Sequence, residues 1–212
     1  MAKVVPASFE ILTELNGTEI LKHIEKIART CYRSEDKITK DDASARQIIA
    51  TLIKLGHEAM IEHYNVSVRF ICDVGFYKDL TRHRIASFAI ESTRYCNYSK
   101  GKFGEELVMI KPVHIAEGSP EYDIWYKCMC DIEKSYMEMA KIGCRPDQLR
   151  MLLPHSTKAE VNITANLREW RHIFKLRGAK TAHPTIVHLI RPLLKEFQQK
   201  IPVIFDDINF AD

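Results

Sequence analysis

Apolar residues along this chain fall into two spacings, and the switches between them predict the elements. From 3 to 12, β-branched valines and the alternation around Phe9 and Ile11 predict a first strand. From 18 to 32, Ile20, Leu21, Ile24, Ile27, Ala28 and Cys31 share one helical face. A second helix is predicted over 41–57, with Asp41 or Asp42 as N-cap, Ile48, Ile49, Leu52, Ile53 and Leu55 as its apolar set, and Gly56 at the stop. The period returns to two over 63–72, where Val66, Val68 and Phe70 alternate with Ser67, Arg69 and Ile71. A short helix over 75–81 delivers the chain to Arg82. Loop residues follow Tyr95, among them Asn97, Ser99, Lys100, Gly101 and Gly104, and a strand is predicted over 106–112.

The longest predicted helix, 120–142, repeats Ile124 or Trp125, Cys128, Ile132, Ser135, Met139 and Ile142 at three- and four-residue steps and ends at Gly143. Further helical turns over 146–152, a strand over 159–165 and a helix from Asn166 through Arg177 come next. After a loop over 178–182, Pro184 suits a helix first turn, and Ile186, Leu189, Ile190, Leu193, Leu194 and Phe197 carry the pattern to 200, before Pro202. The class is α+β: a single mixed domain over 1–212, with a central antiparallel or mixed sheet, packed helices and one long helix near 120–142. No repeat, low-complexity tract or Pro/Gly/Ser linker marks a second domain. Residues 1–50 read as scaffold.

Composition narrows the classes. With 46% hydrophobic and 28% charged residues among 212, the chain can bury a core, and disorder is excluded. No apolar run approaches the ~20 residues that span a bilayer, and no signal peptide is recognisable, so a cytoplasmic protein without a membrane partner is expected. Six cysteines without a Cys-x-x-Cys pair read as reduced thiols. Net charge is only +3, but basic residues gather at 82–102 and 168–191 while acids gather at 35–42 and 117–138. That distribution suits a small anion in a pocket better than nucleic acid.

The candidate chemistry centres on 79–94. Arg82-His83-Arg84 sets like charges side by side, which calls for a neutralising anion. Arginine forks match phosphate, and Ser87 and Ser92 add hydroxyls. His57-Glu58-Ala59-Met60-Ile61-Glu62-His63 misses the His-Glu-x-x-His spacing of a zinc helix, so no metal site is expected. No Walker loop or Gly-x-Gly-x-x-Gly exists, so a dinucleotide would be held by side chains: Arg82, His83, Arg84, Arg168 and His172. Ser92 lacks a Gly-x-Ser-x-Gly elbow, and no cysteine sits in a nucleophile setting.

Arg82-His83-Arg84, then Ser92 and Arg94-Tyr95, resembles the signature of the flavin-dependent thymidylate synthases. Two further blocks are similar to that family: Arg150-Met151-Leu152-Leu153-Pro154, and Asn166-Leu167-Arg168 with His172 and Arg177. The resemblance covers roughly 57–190. It departs at Ala89-Ile90, where many members carry Asn-Glu, at Ala59, where some have a hydroxyl, and at His172, where some have asparagine. What it implies is synthesis of dTMP from dUMP, with 5,10-methylenetetrahydrofolate as carbon donor and FAD, reduced by NADPH, as hydride source. Arg177 is then the catalytic residue, lying against the pyrimidine and favouring its ionised form. The implied dUMP set is Asp79, Arg82, Glu91, Ser92, Thr93, Arg94, Arg150 and Arg177. The implied FAD set is Ala59, Arg82, His83, Arg84, Ile90, Asn166, Arg168, His172 and His183. A homotetramer with sites shared between subunits is also implied. The competing readings are an RNA- or nucleotide-binding module using 82–103, with Tyr95, Tyr98 and Phe103 stacking on bases, and a flavoprotein reductase of other substrate.

Overall fold

A computed structural model describes residues 2–100 and 106–210. Among the described residues, six strands and seven helices follow in the order β1 (Lys3–Val5), β2 (Ser8–Ile11), α1 (Gly17–Thr30), α2 (Ala43–Lys54), β3 (Asn65–Asp73), α3 (Val74–Leu80), β4 (Ala86–Ile90), β5 (Val108–Ile110), α4 (Pro120–Lys141), α5 (Pro146–Leu149), β6 (Lys158–Asn166), α6 (Leu167–Arg177) and α7 (Pro184–Lys200). The α+β class is as expected, and the long helix ends where Gly143 takes a positive φ of 94°. The predicted first strand is two strands, because Pro6 has no N–H to continue a ladder. The stretch 86–90, to which the sequence patterns assign no element, is strand β4. Glu58–His63 forms a 3₁₀ turn. Gly101 and Gly104 of the predicted loop and Phe103 of the stacking set lie outside the described residues.

β1 pairs in parallel with β5, Val4 opposite Met109, and a four-stranded sheet has the order β2-β3-β6-β4. The chain divides into two compact units, with boundaries inside β2, β3, β4 and β6 and after Arg82.

The first unit comprises Met1–Phe9, Arg69–Arg82 and Phe88–Asn162. Its core packs Tyr98, Leu107, Met109, Met129, Tyr136 and Leu149, with Trp125 and Ile132 partly buried against them. Ser119 caps α4 by accepting from the Tyr122 N–H at 3.2 Å, with Pro120 in the first turn. Buried Glu133 on α4 accepts the Leu107 N–H at 3.1 Å, so the chain entering β5 is hydrogen-bonded to the helix.

The second unit comprises Glu10–Val68, His83–Ser87 and Ile163–Asp212. Its core is aromatic: Trp170, Phe174, Phe197 and Phe205 have neighbouring ring centroids 5.1–5.6 Å apart in stacked, tilted and edge-to-face pairs. The Trp170 indole donates to the Val66 carbonyl at 3.0 Å, which ties α6 to β3 and satisfies a buried polar group. Buried Glu25 of α1 accepts from Arg29 at 2.8 Å and from Ser44 of α2 at 2.9 Å.

Candidate active site

The second unit holds most of the chemistry, and α6 positions it. Asn166 ends β6 in an extended conformation and caps α6, its Oδ1 accepting the Glu169 N–H at 2.8 Å. The Leu167 N–H donates to the Tyr64 carbonyl at 3.0 Å, fixing where the helix begins. At the other end Gly178 is the C-cap. A Cβ there would run into the Phe210 ring, and the Gly178 carbonyl accepts from Arg191 at 2.9 Å. Arg177 therefore sits immediately before an anchored helix end.

One face of α6 borders a cavity of about 560 Å³ lined by Glu58, Glu62, Ile85, Asn166, Arg168, Glu169, Arg171, His172 and Lys175. Its charges are largely matched. Arg168 bonds Glu62 at 2.5 Å and lies 3.9 Å from Glu58. Arg171 is 1% exposed and meets Glu58 at 3.0 Å, Asp207 at 2.8 Å and the Ile204 carbonyl. Burying a guanidinium is costly unless its donors are used, and here the fork is engaged on three sides. Asp207 is held below the usual carboxylate range chiefly by its hydrogen bond from Arg171.

His83 follows Arg82 into this unit and is 4% exposed. Its Nδ1 lies 2.9 Å from Glu169 Oε1, its Nε2 accepts from Arg177 Nε at 3.1 Å, and its ring meets His172 edge-on with centroids 5.2 Å apart. Burial holds the imidazole below its ordinary range, opposed by the bond to Glu169 and reinforced by Arg177 and His172. His83, Glu169 and His172 present ligand atoms within 4.8 Å of one another. Both His83 nitrogens are already in hydrogen bonds, so a cation at Nε2 would have to displace Arg177 and one at Nδ1 would have to part the ring from Glu169.

Of the FAD set named above, Ala59, His83, Arg84, Asn166, Arg168, His172 and His183 fall in this unit. Asn166, Arg168 and His172 line the cavity. Ala59 lies in the 3₁₀ turn, exposed beside Glu58. His183 caps α7 from an exposed position, and Arg84 is exposed. Of the dUMP set, Arg177 alone falls here.

Asp79, Arg82, Ile90, Glu91, Ser92, Thr93, Arg94 and Arg150 belong to the first unit. Ile90 and Glu91 line a concavity of about 400 Å³ with Ala89, Cys96, Lys158, Glu160 and Asn162. The Glu91 carboxylate accepts from Lys158 at 2.9 Å and from the Tyr98 hydroxyl at 2.8 Å, and burial beside that carboxylate pushes the Tyr98 phenol well up. Ser92 opens the turn after β4, its carbonyl accepting from Tyr95 at 3.1 Å and Cys96 at 2.9 Å. Arg94 is exposed, its guanidinium 5.5 Å over the Tyr95 ring, and Asp147 in α5, three residues before Arg150, is held low chiefly by its hydrogen bond from Arg145, with a smaller contribution from the Arg94 charge. Among the described residues no carboxylate pairs with Arg82, Arg84, Arg94 or Arg150.

The stacking surface required by the nucleic-acid reading is incomplete among the described residues, since Tyr98 is 7% exposed and committed to Glu91 while Tyr95 is 75% exposed. Sequence reasoning passed over Glu169 and Arg171. Arg171 had a signal: it lies between Trp170 and Ile173 on the apolar side of α6. Glu169 had none, because its partner is 86 residues away.

Residues 14–203 match the family model described as thymidylate synthase complementing protein. The flavin-dependent thymidylate synthase of Pyrococcus abyssi is 31% identical over 79% of this chain and 67% of that protein. That of Corynebacterium glutamicum is 27% identical over 96% and 85%. Among solved structures, a UMP/dUMP methylase PolB from Streptomyces cacaoi bound with 5-Br dUMP aligns with a TM-score of 0.77, covering 96% of this chain and 95% of that one, and at 21% identity the likeness is one of fold. No described helix is long and apolar enough to cross a membrane. A family model that runs through both compact units, together with these relatives, makes the chain a member of the flavin-dependent thymidylate synthase family.

Proposed function

We propose that this chain is a thymidylate synthase that converts dUMP to dTMP without a cysteine nucleophile. The observation that carries the reading is the hydrogen-bonded chain from Glu169 through His83 to Arg177, which braces a guanidinium from a second block of the family signature against the Arg-His-Arg block. A braced cation is what electrostatic activation of a pyrimidine needs: it favours the ionised ring at no cost of reorientation during reaction.

The second unit's donor set fits a flavin. The cavity falls within the ~300–1,000 Å³ of small-molecule sites. The Asn166 Oδ1 is used in capping, which leaves its amide N–H groups for a ligand. Arg168 pairs with Glu62 where both side chains are about half exposed, a pair weak enough to yield to a phosphate. Asn166, Arg168 and His172, with Ala59, Arg82, His83, Arg84, Ile90 and His183, would hold FAD. Reduced FAD, itself reduced by NADPH, supplies the hydride that completes a methyl group whose carbon comes from 5,10-methylenetetrahydrofolate.

The first unit's arginines suit the nucleotide phosphate. Arg94 and Arg150 carry charge that no described carboxylate neutralises, and Ser92 and Thr93 add hydroxyls to the same turn; Asp79, Arg82 and Glu91 complete the set. These groups orient dUMP. One functional domain over 1–212, a cytoplasmic location and a homotetramer with shared sites belong to the same proposal, and the family supports them.

The test is the absorption spectrum of the purified protein, followed by titration with dUMP. A flavin spectrum that shifts on adding dUMP is expected. A colourless protein that takes up no added FAD would sink the reading. Salt-dependent RNA binding by such a protein would revive the nucleic-acid alternative.

A further inference from the structure

We infer that Glu169 is a positioning residue for Arg177, acting through a neutral His83 whose single ring proton it holds on Nδ1. The inference rests on the proposed role of Arg177 as the cation that faces the pyrimidine.

The argument is one of donors and acceptors. An arginine side chain offers N–H donors and no acceptor. Arg177 Nε lies 3.1 Å from His83 Nε2, so that nitrogen must present its lone pair. A neutral imidazole with a lone pair on Nε2 carries its proton on Nδ1. That proton meets Glu169 Oε1 at 2.9 Å, and an ionised carboxylate can only accept. The chain of bonds therefore reads in one direction, from Arg177 to His83 to Glu169. With the other tautomer, or with imidazolium, two N–H groups would face each other at the Arg177 contact.

The carboxylate is itself fixed. Glu169 is 7% exposed and in the first turn of α6, with its backbone N–H bonded to Asn166 Oδ1. Arg177 is eight residues, about two turns, further along the same helix. A side chain from outside the helix thus bridges its first and last turns. Among the described residues, the charged and titratable groups facing His83 are Glu169, His172 and Arg177, all from α6, while Arg82 and Arg84 on its own segment are exposed. Loss of the acceptor would free His83 to change tautomer, and Arg177 Nε would lose the lone pair it donates to.

Two measurements decide the matter. The first needs no turnover: long-range ¹⁵N–¹H spectra of histidine-labelled protein at neutral pH should show one imidazole as the Nδ1–H tautomer, a signal lost in a His83→Gln control. An Nε2–H or imidazolium signal from His83 would overturn the inference and leave the proposed reaction untouched. The second compares Glu169→Leu with Glu169→Gln. Leucine removes the acceptor, and kcat should fall about tenfold or more, with dUMP affinity changed much less. Glutamine retains an acceptor oxygen without charge. It should keep most of kcat while moving the acid limb of the rate profile to lower pH, because the imidazolium loses its counter-charge. A folded Leu variant with wild-type kcat, or equal losses in both variants with an unmoved acid limb, would refute the positioning role. If the Leu variant does not fold, the Gln profile and the tautomer signal still decide.

Discussion

Arg168 and Arg171 in the second unit and Arg94 and Arg150 in the first are treated in opposite ways. In the second, Arg168, Arg171 and His83 are each matched to a carboxylate, and the best buried of them have the most complete sets of partners. In the first, Arg94 and Arg150 are exposed, and no described carboxylate pairs with either. Matched charges set geometry before any ligand arrives; unmatched ones keep their electrostatic energy for the ligand. The first arrangement suits orientation of a reacting ring, the second capture of a phosphate.

The largest effect should come from the point where the matched network meets the substrate. Arg177→Ala removes a preorganised donor, and turnover should fall by about 10²–10³ with little change in melting temperature. Unchanged dUMP-dependent turnover would end the assignment of Arg177. Next is the structural member of the network. Arg171→Leu leaves Glu58, Asp207 and the Ile204 carbonyl without their donor, and unfolding free energy should drop by about 3 kcal/mol, read from urea midpoints. A loss below about 1 kcal/mol would mean that the pairing is incidental.

The first unit should respond in the reverse sense. Arg94→Ala and Arg150→Ala leave no described carboxylate without a paired cation, and Arg94 gives up only its contact with the exposed Tyr95 ring, so melting temperature should hold. Each should weaken dUMP binding by about tenfold, the scale of one charge-assisted hydrogen bond. Thermal destabilisation with unchanged affinity would invert the contrast between the units.

The legibility of these features follows their range along the chain. Local features were readable. The helix predicted from Asn166 begins one residue later, with Asn166 as its cap, and Gly143 gave the end of α4, because both signals act within a few residues. Pro6 was in plain view, yet the valines around it read as one strand. β4 was hidden because Ala86-Ser87-Phe88-Ala89-Ile90 is short and poor in β-branched residues. The unit boundaries fall inside strands, where composition leaves no mark. In the site, residue types in the basic blocks were visible, while their pairing was not. The apolar side of α6 sets Arg171 apart from Arg168 in sequence, but only the fold shows which carboxylates each one meets.

Acid gives the smallest effect and the finest test of the contrast. The folded Asp207 carboxyl titrates below its ordinary value, chiefly because Arg171 donates to it. A depressed carboxylate adds stability that is complete above its unfolded value, about 3.9, and is lost as pH falls through the lower folded value. Its side chain is 45% exposed, so solvent screening limits the contribution to about 1 kcal/mol or less. Asp207→Asn should therefore be slightly less stable than the wild type at pH 6–7, with the gap closing below about pH 4. Arg94→Ala should show far less convergence, since the carboxylate its charge reaches, Asp147, keeps the Arg145 hydrogen bond that chiefly lowers it. A gap for Asp207→Asn that stays constant down to pH 3 would mean that Arg171 is held by Glu58 and the Ile204 carbonyl alone.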